Sequence, residues 1–135
     1  MKTRICLLIM AAAIMLLVPS CKTPPPILNT PPIIENLNVT AKHRYLVEYL
    51  GGYKILQEKS CEINCTASDP EGDKLTYRWS ADGGSISGGG PIITWTAPLG
   101  AGKVTLNVTV SNSGGGAATK SITFKVETCA PCAFG

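Results

Sequence analysis

Six cysteines, three closely spaced carboxylates and a single histidine are the residues of this 135-residue chain that could carry chemistry. Cys61 and Cys65 stand four positions apart, and Cys129 and Cys132 three apart. Thiols at such spacings serve disulfides, a four-thiolate zinc site, or a redox Cys-Ala-Pro-Cys loop. The redox motif belongs at a helix start, which the sequence does not supply. Disulfides are the first expectation, with zinc and redox or free thiols as the competing readings. Asp69, Glu71 and Asp73 put three carboxylates on one Asp-Pro-Glu-Gly-Asp loop, and calcium seeks several such oxygens. The competing reading has Asp69 and Asp73 shaping the turn through bonds to the backbone, with Glu71 solvated. His43 has no serine or cysteine neighbour in sequence to activate. The Gly83-Gly90 stretch could suggest a phosphate cradle, but no Lys-Ser/Thr and helix follow it. It reads instead as a flexible hairpin loop. With no nucleophile, base or paired acid assembled, no enzyme is expected.

Lys2 and Arg4 precede an uncharged, largely apolar run from Ile5 to Val18, 14 residues long, which ends at Pro19-Ser20-Cys21. At about 1.5 Å per residue the run spans roughly 21 Å, short of the ~30 Å that a membrane-crossing helix must cover. It has the outline of a signal peptide. Val18-Pro19-Ser20-Cys21 resembles the bacterial lipobox, with proline where that pattern more often has a small residue. The resemblance implies lipid transfer to the Cys21 thiol, cleavage before it and loss of Cys6 with the signal. Residues 1–20 are thus expected to be a lipoprotein signal peptide, and a two-chain glyceride on Cys21 would anchor the product stably to a membrane.

Removal of that segment leaves 115 residues, and loss of Lys2 and Arg4 lowers the formal charge from +3 to +1. The basicity belongs mainly to the signal, and no clustered Lys/Arg stripe argues for nucleic acid. A product of this size holds one domain. Residues 21–32 carry five prolines between Lys22 and Pro32, which denies them ladder hydrogen bonds and marks an extended, stiff spacer on the order of 30 Å long.

From Ile33 onward the pattern alternates with period two, as half-buried strands do. Val104, Leu106, Val108 and Val110 share one face of the clearest strand, and Ile122, Phe124 and Val126 repeat it. Asn112-Ser113-Gly114-Gly115-Gly116 between them tolerates a tight reversal, so the two should form a hairpin. Leu75, Tyr77 and Trp79 alternate likewise, as do Ile93 with Trp95, and Cys61, Ile63, Cys65 and Ala67. About six short strands, no helix and a tryptophan on a middle strand predict an all-β, immunoglobulin-like antiparallel β-sandwich over residues 33–128. Residues 129–135 form a cysteine-containing tail.

The segment Ala67 to Trp79, with its Asp-Pro-Glu-Gly-Asp turn, resembles the second and third strands of PKD-like and related bacterial immunoglobulin-like modules. Ile93 to Pro98 and Val104 to Ser111 are similar to their later strands. The likeness runs over roughly Asn29 to Val126. It implies a non-catalytic module that spaces, stiffens, displays or binds proteins and polysaccharides, and calcium binding near the Asp69 loop occurs in the wider family. Two departures from PKD proper make a PKD-like relative the better description: a long first crossover from Lys42 to Lys59, and Trp79-Ser80-Ala81-Asp82-Gly83-Gly84 where PKD has a Gly-Asp-Gly turn.

Along one extended strand Cys61 and Cys65 stand near 13 Å apart, beyond the ~7 Å limit between bridged Cα atoms. In such a sandwich the second strand starts near the end of the last, which puts Cys61 within reach of Cys129 or Cys132. Cys65 would take the other tail cysteine or stay buried and reduced. Tyr45, Tyr49 and Tyr53 recur every fourth residue in the long crossover, and tyrosine suits half-wet interfaces. They are the candidate partner contact, against the alternative of an added strand that packs the rings inward. The expected role is a lipid-anchored envelope module that meets a surface protein or polysaccharide, without an obligatory cofactor. The alternatives are a metal- or thiol-dependent envelope accessory using the four cysteines, and a calcium-dependent polysaccharide binder.

Overall fold

The computed structural model describes residue 23 and residues 28–129. The expected signal sequence, the expected anchor at Cys21, most of the expected proline-rich spacer and Cys132 lie outside the described residues. Within them the chain makes nine strands and no helix.

Alternation builds the first sheet. β1 (Ile33–Thr40), β4 (Ser60–Ser68), β7 (Ile92–Thr96) and β6 (Ser85–Gly89) lie side by side in the order β1-β4-β7-β6, all antiparallel. The second sheet has the order β2-β3-β9-β8-β5, from β2 (Leu46–Tyr49), β3 (Gly52–Leu56), β9 (Ala117–Glu127), β8 (Gly102–Ser111) and β5 (Thr76–Ala81). The expected hairpin is β8 with β9, in unbroken register from Gly102↔Val126 to Ser111↔Ala117.

The inward faces meet as the alternation requires. Cys61, Ile63, Ile93 and Trp95 from one sheet close against Ile55, Val104, Leu106, Phe124 and Val126 from the other. A smaller cluster of Leu37, Cys65, Val108 and Val110 continues the core. Trp95 and Phe124 are fully buried, with ring centroids 4.5 Å apart. Truncating either ring to alanine would cost about 3–5 kcal/mol.

The tryptophan on a middle strand is Trp95, on β7; Trp79 lies on the edge strand β5, half-buried with its Nε1 donating to the Gly90 carbonyl at 2.9 Å. Three features differ from the sequence-based expectation. The long crossover is a β2–β3 hairpin rather than one added strand. Its second strand runs parallel to β9, from Tyr53↔Phe124 to Leu56↔Glu127, so the sandwich is not wholly antiparallel. A parallel pair needs a long connection, and residues 57–116, which carry β4 to β8, supply it.

The glycine-rich stretch is not a loop either, since Ser85–Gly89 pairs with Ile92–Thr96. Gly84 makes the turn into it possible at φ +78°. A Cβ there would collide with the Thr96 carbonyl oxygen and come within 2.7 Å of Trp95 Nε1, which donates to the Gly83 carbonyl at 3.0 Å. Only glycine lets the backbone close over the buried indole in this conformation.

Candidate functional site

The Asp-Pro-Glu-Gly-Asp segment forms a turn in which Gly72 N–H donates to the Asp69 carbonyl at 3.1 Å. Asp leads, Pro takes the next position and Gly the last, the residues such a turn prefers. Asp69 Oδ1 accepts from Glu71 N–H and Asp73 N–H, each at 3.0 Å. Its Oδ2 accepts from Asn112 Nδ2 at 2.9 Å. These bonds, the one from Asn112 foremost, hold the Asp69 carboxyl below the usual carboxylate range.

Asn112 continues the inward parity of Val104, Leu106, Val108 and Val110 and is 7 % exposed, the one buried polar residue among those described. Burying an amide is tolerable only with its bonds satisfied. Its Oδ1 accepts from Gly116 N–H at 2.8 Å, which closes the β8–β9 turn, and from Asn29 Nδ2 at 3.3 Å. Its Nδ2 faces Asp69 Oδ2, the Thr30 carbonyl at 2.9 Å and Asn29 Oδ1 at 3.0 Å. Three acceptors around two N–H bonds mean that one hydrogen is shared.

Asn29 reaches this node because Gly114 and Gly116 carry no side chain. A Cβ on Gly114 would strike Asn29 Oδ1, and one on Gly116 would lie 2.9 Å from Asn29 Nδ2 and 3.0 Å from Pro31 Cα. Thr30 adds a bond from Oγ1 to Glu71 Oε1 at 2.5 Å. Asn29 and Thr30, just before β1, are thus tied to both loops at one end of the sandwich. Sequence reasoning missed Asn29 and Asn112 as partners, although the parity of β8 points Asn112 inward.

Two of the three carboxylates offered to calcium are used otherwise. Asp69 spends both oxygens on N–H donors, and Glu71 turns to Thr30. No group of three His, Cys, Asp or Glu among the described residues is placed to hold a metal. The turn-shaping alternative for Asp69 is the one the geometry matches, and Glu71 is bonded rather than merely solvated.

The expected cross-link from Cys61 does not form, and Cys65 takes its second alternative, buried and reduced: both are free and buried. Their side chains point into the sandwich, Cys61 into the larger core cluster and Cys65 into the smaller, whereas Cys129 is exposed beyond the end of β9. Cys129 is disulfide-bonded, and with Cys61 and Cys65 free its partner lies outside the described residues. Burial pushes the Cys61 thiol up to about 12, and burial raises Cys65 against a smaller opposing effect of Lys120. Zinc and nucleophilic chemistry need thiolates, which burial disfavours at both positions, and the two cysteines lie in separate clusters of the core.

The three tyrosines divide. Tyr53 packs inward on Phe124, ring centroids 5.6 Å apart, which corrects its assignment to a contact surface. Tyr45 and Tyr49 stay exposed. The Lys59 ammonium lies 5.5 Å from the Tyr45 ring, and the Lys54 ammonium 5.6 Å from the Tyr49 ring. His43 donates from Nε2 to the Ser60 carbonyl at 2.7 Å and accepts at Nδ1 from Tyr45 N–H at 3.3 Å, so it ties the crossover to β4.

Among solved structures the chain is similar to the PKD1 domain of Vibrio anguillarum Epp, at 21 % identity and a TM-score of 0.51, over 74 % of this chain and 98 % of that one. It is also similar to a nucleoside hydrolase-related hypothetical protein from Saccharophagus degradans, at 23 % identity and a TM-score of 0.49, over 73 % of this chain and 26 % of that one. No curated protein matches the chain. The model of the bacterial Ig domain family matches residues 29–125, from the asparagine in the node to the last strand. On that match the chain belongs to the bacterial Ig domain family.

Proposed function

We propose that this chain is a non-catalytic module of the cell envelope, held to the outer face of a membrane by lipid on Cys21, with a structural, adhesive or displaying role. Bacterial Ig-like domains are generally non-catalytic and extracellular or surface-exposed. The observation that carries the displaying role is the node at Asn112. It grips Asn29 and Thr30, so a stiff spacer passes into the sandwich without a free hinge between residue 29 and β1. A spacer of about 30 Å joined in this way sets the standoff of the domain from its anchor.

The test is metabolic labelling with a palmitate analogue in a bacterial host that expresses the full chain. Label should enter the chain, stay in the membrane fraction, and vanish in Cys21→Ser. An unlabelled chain, or label retained in Cys21→Ser, overturns the anchoring.

A further inference from the structure

The outer face of the five-stranded sheet carries a feature that anchoring does not use. Lys54 on β3 stands in register with Lys125 on β9, and Lys125 with Lys103 on β8. Their neighbours Ile55, Phe124, Val126 and Val104 are buried, so alternation turns all three lysines outward. Like charges directly opposite one another across strands destabilise a sheet. Three in a row span roughly 10 Å at the usual strand spacing. Among the described residues Glu127 answers two of them, 3.3 Å from Lys125 and 3.8 Å from Lys54.

Beside the row lies a groove of about 490 Å³ between the β2–β3 turn and the β8–β9 pair, walled by Tyr49, Leu50, Thr123, Lys103 and Lys125. Beside it Gly52 lets β3 approach β9, since a Cβ on Gly52 would meet the Thr123 carbonyl oxygen. The groove thus combines a half-exposed phenol ring, a hydroxyl and two exposed ammonium groups, with Lys54 over the Tyr49 ring.

From this arrangement we infer that the face binds a linear acidic polysaccharide laid across the strands, its carboxylates on the lysine row and a sugar ring against Tyr49. A second copy of the chain would bring like charge onto like charge. An extended peptide added at the sheet edge would run along β2 or β5, neither of which carries a lysine of the row. A polymer that crosses the strands meets all three. This site goes beyond the anchoring reading and needs no lipid.

The test is titration of the processed chain, residues 21–135, with polygalacturonate at about 50 mM and about 300 mM salt, where screening separates charge pairing from other contacts. The account expects binding that weakens with salt. Lys54→Gln/Lys103→Gln/Lys125→Gln should lose about tenfold or more in affinity, as three exposed contacts of modest strength predict, and Tyr49→Ala should lose a smaller factor. The triple variant should melt no lower than the wild type, because repulsion is relieved, which keeps loss of binding distinct from loss of fold. No binding at low salt, equal binding by the triple variant, equal binding of neutral dextran, or tighter binding of polyglutamate or phosphatidylglycerol vesicles would each overturn the proposal. Loss of Cys21 lipidation would leave this result unchanged, so the two proposals fail separately.

Discussion

Truncating Asn112 to alanine perturbs the node at its centre. The variant strips Gly116 N–H, the Thr30 carbonyl and Asn29 of a partner that is itself almost wholly buried. At a net contribution of about 1 kcal/mol for each such neutral bond, the loss comes to roughly 3 kcal/mol. The Asp69 bond is left out of that figure because water screens the exposed carboxylate. For a domain of this size the loss lowers Tm by about 12–24 °C. Urea denaturation of the processed chain gives the free energy, and 15N relaxation at Asn29 and Thr30 shows whether the spacer has come loose. Asp69 adds a pH signature. Its carboxyl is depressed in the fold, so its contribution is complete above the ordinary pKa of about 3.9 and is lost as pH falls through the lower folded value. In Asn112→Ala its titration should move back up. A loss under about 0.5 kcal/mol, or an Asp69 titration that stays put, would refute the reasoning.

Cys61 makes the opposite case. Its pKa is raised to about 12 by burial, so its contribution is complete below the unfolded thiol pKa of about 8.5 and is lost as pH rises towards the folded value. Denaturation midpoints should fall across that alkaline range in the wild type and more gently in Cys61→Ala; parallel slopes would refute this origin. Gly84→Ala forces a side chain onto positive φ and against the Thr96 carbonyl, and should cost at least 1–2 kcal/mol in chemical denaturation. In the native protein Cys61 and Cys65 should resist a thiol reagent and react on unfolding, and rapid native reaction would contradict their burial.

The strands that alternate cleanly were legible in the sequence. Val104, Leu106, Val108, Val110, Phe124 and Val126 are buried as the period-two pattern predicts, with Ile122 partly buried against them. β6 was not, because Ser85–Gly89 has only Ile86 to alternate with, and its glycines look like a loop. The β2–β3 hairpin hid behind a four-residue spacing of tyrosines that resolves into one inward ring and two outward ones. The Cys61 cross-link was misjudged because the distance from Cys61 to the end of β9 says nothing of direction: its side chain turns into the core while Cys129 is exposed beyond the end of β9. The junction was out of reach for another reason. Asn29 and Asn112 are 83 positions apart, and nothing local to either names the other. The lysine row is also a product of register, since Lys54, Lys103 and Lys125 look scattered along the chain and align only when β3, β9 and β8 pair.

Anchoring at Cys21 is tested most directly by the intact mass of the protein extracted from membranes of an expressing bacterium, before and after alkylation. The expected species begins at Cys21, carries a diacylglyceryl group, and takes up two alkyl groups on unfolding, at Cys61 and Cys65. A chain that keeps residues 1–20, or begins at another residue without lipid, would contradict the account.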